Sequence, residues 1–274
     1  MKNFKWMQLL YRMFAVTKMD FCAGFGHRLQ KETENKKEVL HILANGPSLN
    51  DTIGYIDIIG GDIMMMNYMF KQEYYKQYPP KYLCFFDSVF LNDSELEFEL
   101  KRLTECNSAT KVFFTHGMFV KYYNLFNNKN FFWIYPGGSH NRYTNKLDKF
   151  MYEKNYSSPM TYTVALAALY AGIQMGYKTI YLHGNDFSFI TKYYVDEHNQ
   201  TYFVNQHSYD KKTERKKMNI SMLEEIETVY YSYVGYDNVA KYAKDERVSI
   251  YNLSLHSYID SFEKLDVNKE VRPI

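Results

Sequence analysis

The sequence carries no G-x-G-x-x-G and no G-K-[S/T], which removes the dinucleotide fingerprint and the P-loop. H-E-x-x-H is missing, and the eight histidines show no metal-ligand spacing. G-x-S-x-G is missing too, which weakens an α/β-hydrolase reading. Cysteine is scarce. Cys22, Cys84 and Cys106 stand far apart, so there is no C-x-x-C metal site and no even disulfide set. Cys84 lies inside an apolar run and reads as a core residue. A reducing cytoplasm is the simplest compartment for such a chain. No apolar stretch reaches the length of a membrane span. The net charge of +2 is nearly balanced, which gives no case for nucleic-acid binding. There is no internal repeat.

What is present starts with length. At 274 residues the chain suits one large domain, or one domain plus an appendage, with a sizeable core. Aromatics make up 18% and include 28 Tyr. A genome rich in Lys, Asn, Tyr, Phe and Ile codons explains that count, and a sugar- or base-stacking surface could use some of the rings. The first 35 residues differ in character. Phe4, Trp6, Met7, Leu9, Leu10, Tyr11, Met13, Phe14 and Val16 alternate with Lys2, Lys5, Arg12 and Lys18, and no acid precedes Asp20. The pattern is a basic amphipathic helix without a signal-peptide cleavage site. It would lie peripherally on the inner face of an anionic membrane, or pack on the domain or another subunit. Lys31 to Lys37 reads as the linker to a domain spanning 36–274.

That domain is organised around Val39 to Asn50. A short apolar run, Val39 to Ala44, ends in the turn residues Asn45-Gly46-Pro47-Ser48, followed by a helix start. This is a first βα unit, although an ordinary turn without a ligand has the same pattern. Further apolar runs follow at Ile63 to Met66, Tyr82 to Phe86, Lys111 to Thr115, Asn130 to Tyr135, Thr179 to Leu182 and Val248 to Leu253. Helical spacing lies between them at Asp93 to Leu103 and at Thr163 to Met175. A capping box at Ser221 opens a helix through about Tyr242, and Tyr258 to Leu265 reads as a closing helix. The alternation predicts an α/β fold with a mostly parallel, Rossmann-like sheet and helices on both faces. Residues 188–220 are polar and lack apolar periodicity, which fits a lid, a binding loop or disorder, and their place directly after a sheet strand favours a lid over the ligand site.

In such sheets ligands bind beyond the carboxyl ends of the strands. Asn45, Asn67, Asp87 and Asp186 sit at four of those ends. Each alone is as well explained as a cap or turn former, but together they define a candidate ligand edge.

Asn45-Gly46-Pro47-Ser48-Leu49 after a strand, Asn67 followed by aromatics, and the block from Gly176 to Phe187 resemble glycosyltransferase family 42. These are the bacterial sialyltransferases that decorate Campylobacter lipooligosaccharide. The resemblance runs from about Leu40 to His207. It implies a single-domain GT-A-like transferase with a CMP-activated acidic sugar as donor substrate and no cofactor or metal. The donor would be sialic acid, Kdo or a related nonulosonate, and the acceptor a glycan or glycolipid of lipooligosaccharide or capsule. It also implies a homo-oligomer. Carried over by position, Asn45, Gly46, Ser48 and Asn67 would line the nucleotide. Asp87 falls where the family has an Asn, and Thr163-Val164-Ala165 where it has Thr-Ser-Gly. Gly184 and Asp186 match Gly-x-Asp at the nucleotide edge. Tyr193, Tyr194 and Tyr202 are candidates for the tyrosines on the leaving phosphate. His207 matches the general base, with His198 second.

The assignment is chemically coherent. A base of near-neutral pKa takes the acceptor hydroxyl proton, tyrosine hydroxyls stabilise the departing phosphate, and a closing lid excludes water. An MptE-like pyrophosphokinase and a non-catalytic nucleotide-binding protein are the alternatives.

Overall fold

The structure is a computed structural model that describes residues 2–23, 26–29, 31, 37–135, 143, 146–159, 162–205 and 214–270. Eleven strands are present among these residues: β1 Val39–Leu43, β2 Asp62–Met66, β3 Tyr82–Phe85, β4 Lys111–Thr115, β5 Phe131–Ile134, β6 Thr179–His183, β7 Tyr193–Val195, β8 Thr201–Asn205, β9 Glu214–Lys217, β10 Ser249–Asn252 and β11 Glu263–Lys264. The helices are α1 Lys2–Ala23, α2 Leu49–Thr52, α3 Tyr55–Ile59, α4 Tyr74–Gln77, α5 Ser94–Glu105, α6 His116–Phe126, α7 Lys146–Glu153, α8 Val164–Gln174, α9 Met222–Asp245 and α10 Val267–Glu270.

Eight strands form one sheet in the order β11-β10-β6-β1-β2-β3-β4-β5. Every pairing in it is parallel. The expected α/β architecture with a parallel sheet is therefore present. The sheet is buried on both faces, so its strands read as continuous apolar runs. Alternation divides them between two cores. Leu40, Ile42, Met64 and Met66 face α8 and α9. Leu43, Ile63 and Met65 face α2, α3, α5 and α6. The small residues of α8 have a packing cause. A Cβ at Gly172 would press on Leu40 and Ile180, so the helix lies close against β1 and β6.

The chain leaves β1 toward β2 on one side and returns as β6 on the other. The switch point of the sheet is thus the gap between β1 and β6, where a crevice opens in doubly wound folds. The loops after β1, β2 and β6 converge there.

Two expectations are corrected. The segment from Tyr258 to Leu265 is not a helix but bends and the two-residue strand β11. Its buried Ile259, Phe262 and Leu265 tie an extended chain to the sheet edge, and the helix α10 comes only after it. The stretch 188–220 is also not irregular. Its described residues hold a three-stranded antiparallel sheet, β7-β8-β9, whose polar faces conceal the period of two. The capping box at Ser221 is present, with both reciprocal bonds to Glu224, and α9 runs three residues past Tyr242. Helix α6 went unread, because the aromatic run into it has the look of continued strand.

Candidate functional site

A cleft of about 200 Å³ lies at the switch point. The loop after β1 supplies Asn45, Gly46 and Pro47, and the end of β2 supplies Asn67. Gly184, Asn185, Asp186 and Phe187 come from the loop after β6, and Thr163, Val164 and Ala165 from the start of α8. Phe189 and Lys192 come from the segment between β6 and β7, Val204 from β8, and Tyr236 from α9.

The two glycines are required by close approach. Gly46 N–H donates to Gly184 O at 2.9 Å, and a Cβ at Gly46 would collide with that carbonyl and with the Asp186 carboxylate. Gly184 has φ +64°, and a Cβ there would strike Ala44 O. The β1 and β6 loops are thereby clamped together. Asp186 Oδ2 accepts the Ser48 N–H at 3.0 Å, while Ser48 Oγ donates to Ser254 Oγ at 2.6 Å. Asp186 is thus the buried acceptor that fixes the Asn-Gly-Pro-Ser turn. Ser48 is held behind the cleft wall.

Three amide atoms in the same lining lack such partners. Asn45 Oδ1, Asn67 Oδ1 and Asn185 Nδ2 are buried and have no hydrogen-bond partner among the described residues. A buried polar atom left unpaired costs about 1–3 kcal/mol, so three in one cleft mark a place for a polar ligand. Asn67 also holds φ +50°, a left-handed conformation uncommon outside glycine. Strain of that kind concentrates at ligand sites.

The remaining walls set orientation and charge. Tyr236 is fully buried, and its hydroxyl donates to Asn185 Oδ1 at 3.2 Å and lies 3.3 Å from Thr163 Oγ1. Burial pushes its hydroxyl up to about 12, which keeps it a neutral donor. Thr163 Oγ1 accepts the Leu166 N–H and so caps α8. The first-turn amides of α8 have no partner within the helix and point their dipole at the cleft, which favours an anion. Among the described lining residues, Lys192 is the cation. No group of three His, Cys, Asp or Glu among the described residues could hold a metal.

Under the cleft floor, β1 and β6 place His41 and His183 side by side, both fully buried. His41 Nε2 donates to Gly60 O at 3.2 Å. Its Nδ1 therefore accepts from His183 Nε2 at 2.9 Å. His183 Nδ1 lies 3.1 Å from Thr52 O and 3.2 Å from the Thr52 hydroxyl, which itself donates to Ser48 O. Burial lowers both rings, His41 to about 4 and His183 to about 3. The pair is a neutral strut whose end is one residue from Gly184.

The sequence candidates thus separate. Asn45, Gly46, Asn67, Thr163, Gly184 and Asp186 share the cleft. Asp87 does not line it; its carboxylate caps the following turn by accepting Val89 N–H at 3.1 Å. Tyr194 and Tyr202 do not line it either. They face each other across β7 and β8 and stack at 5.1 Å. Alternation puts Tyr202 on the same face of β8 as the cleft-lining Val204, roughly 7 Å further along the strand. Tyr193 is on the other face, where its hydroxyl bonds to Glu225 and ties the hairpin to α9. His198 is exposed at the hairpin tip. His207 lies outside the described residues. Asn185, Tyr236 and Lys192 were not singled out beforehand. Asn185 sits between two residues that were, while Tyr236 reaches the cleft only through the packing of α9.

No protein-family model and no curated protein sequence matches this chain. Solved structures do. Similarity extends to the monofunctional alpha-2,3-sialyltransferase Cst-I from Campylobacter jejuni, with TM-score 0.50 and 18% identity over 89% of this chain and 85% of that one. The chain shares that fold. The sialyltransferase CstII from Campylobacter jejuni, solved with cytidine-5'-monophosphate, matches at TM-score 0.45 and 17% identity over 84% of this chain and 86% of that one. The MAf glycosyltransferase from Magnetospirillum magneticum AMB-1 matches at TM-score 0.49 and 13% identity, over 90% of this chain but 36% of that one.

Proposed function

We propose that the chain is a glycosyltransferase that binds the cytidine nucleotide of a CMP-activated acidic sugar in this cleft. It would transfer the sugar with inversion to a glycan acceptor. The observation that carries the reading is the meeting of three unpartnered amide atoms, Asn45 Oδ1, Asn67 Oδ1 and Asn185 Nδ2, at the switch point of a parallel sheet. Carboxamides can both donate to and accept from a base edge or a ribose hydroxyl. The start of α8 and Lys192 supply the positive potential that a phosphate requires. The shared fold with a sialyltransferase supports the donor class.

The lid completes the reading. In this proposal the stacked Tyr194 and Tyr202 move one residue pair inward when the hairpin closes. Their hydroxyls then donate to the departing phosphate oxygens as charge develops. His207 takes the acceptor hydroxyl proton, and the released phosphate carries the bonding electron pair away as CMP. Closure also removes water, which limits donor hydrolysis. Sialic acid is the first donor to test, with Kdo and related nonulosonates next. The acceptor would be a surface glycan.

The test is CMP release from CMP-sialic acid by the wild type and by His207→Ala. Turnover that drops at least a hundredfold in the variant, with CMP affinity retained, supports the assignment. ATP-dependent pyrophosphate transfer instead of CMP release would replace it with a pyrophosphokinase.

A further inference from the structure

Helix α1 carries a row of large apolar side chains that no described residue covers. Met7, Leu10, Tyr11, Phe14 and Phe21 are 64–79% exposed. At 100° per residue they fall within one stripe, roughly 100° wide and about 20 Å long. Lys18 lies on the same stripe and is exposed. The opposite side of the helix faces the domain. Val16 is fully buried, Met19 packs beside it near α6, and Arg12 bonds to Ser157. The helix is therefore fixed in rotation with its apolar stripe outward. Soluble surfaces seldom leave a continuous apolar strip of this size bare.

We propose that this stripe docks the protein on an anionic lipid surface. Charge decides the occupant. Lys18 stands on the stripe, Lys2 and Lys5 add positive charge near the start of the helix, and no acid precedes Asp20, which is paired with Arg28. A helix with an apolar face and an excess of cations lies in the plane of an anionic interface. A second copy of the chain is the weaker partner. Another exposed apolar row, Leu223, Ile226 and Tyr230 on α9, has two of its flanking acids already engaged. Glu224 is used in the capping box and Glu225 by Tyr193. No helix among the described residues is long and apolar enough to cross a membrane, so α1 rests on the surface. This inference stands on α1 alone and does not depend on the reading of the cleft.

The experiment is co-sedimentation of the full chain with 100-nm vesicles. One set is pure phosphatidylcholine and the other contains about 30% phosphatidylglycerol. The wild type is expected to partition onto the anionic vesicles, several-fold less at 0.5 M than at 0.1 M salt. Phe14→Glu/Phe21→Glu is expected to lower partitioning at least tenfold with an unchanged melting curve. Leu125→Glu, an exposed apolar residue of α6, controls for surface charge and should change partitioning less than twofold. Equal binding to neutral vesicles overturns the proposal, as does an unaffected double variant. Absence of partitioning together with a dimer that the double variant dissolves overturns it too, and assigns the stripe to a second copy.

Discussion

The buried pair His41–His183 makes the protein sensitive to mild acid. Both rings are neutral in the fold, with His41 Nε2 donating to Gly60 O and His183 Nε2 to His41 Nδ1. An unfolded histidine titrates near 6.5, whereas these rings stay neutral down to about 4 and about 3. A folded pKa below the unfolded one means that stability is full above pH 6.5 and is lost as pH falls toward the folded values. At pH 5 the unfolded ring has gained protonation free energy that the folded ring has not, about 2 kcal/mol per ring by linkage. For the pair that is about 4 kcal/mol relative to pH 8, a large part of the stability of a domain. The window above pH 5 separates this effect from most carboxylates. His116, lowered in the same direction by burial, adds to it. The assay is urea unfolding at pH 8, 6.5 and 5, with wild type beside His41→Gln. The glutamine keeps an amide donor and acceptor and removes one titrating ring, so the acid loss should shrink by about half. A wild-type change under about 1 kcal/mol between pH 8 and 5 would refute the neutral pair, and so would identical pH slopes in the two proteins.

Four further outcomes follow from the cleft. Gly46→Ala should abolish measurable CMP binding by calorimetry, because its Cβ would push the β1 loop off Asp186 and Gly184 O. Lys192→Gln should weaken CMP about tenfold and flatten the salt dependence of binding, since the cation among the described lining residues is removed. Tyr236→Phe leaves Asn185 Oδ1 without its hydroxyl donor, so thermal unfolding should register a loss of about 1–3 kcal/mol. Asp87→Ala should leave CMP affinity within about twofold while lowering stability by about 1 kcal/mol, the usual cost of a lost cap.

The sheet was legible in the sequence because strands buried on both faces must be apolar throughout. Val39 to Leu43, Asp62 to Met66 and Thr179 to His183 stand out for that reason. Topology made the strand ends legible as well. Once β1 and β6 are neighbours, Asn45 and Gly184 must meet. The β7-β8-β9 sheet was harder to read. Tyr193 and Tyr194 point to opposite faces of a half-solvated hairpin, and both are tyrosine, so neither apolar alternation nor composition distinguishes them. The same holds for Asp186 and Ser48. Residue type and position suggest ligand contact, but backbone geometry turns the carboxylate to the Ser48 N–H instead. Asp87 shows the same limit, since strand-end capping and ligand binding call for the same side chain. The C-terminal segment misled because Ile259, Phe262 and Leu265 have helical spacing, yet their burial is against a sheet edge.

The central claim is most directly tested by calorimetric titration of CMP into the wild type and Asn45→Ala/Asn67→Ala. The account predicts one site in the wild type. In the double variant, affinity should fall at least a hundredfold with the fold retained, because the two unpaired amide oxygens that would meet the ligand are gone. CMP binding of equal strength in both proteins, or none in the wild type, would contradict it.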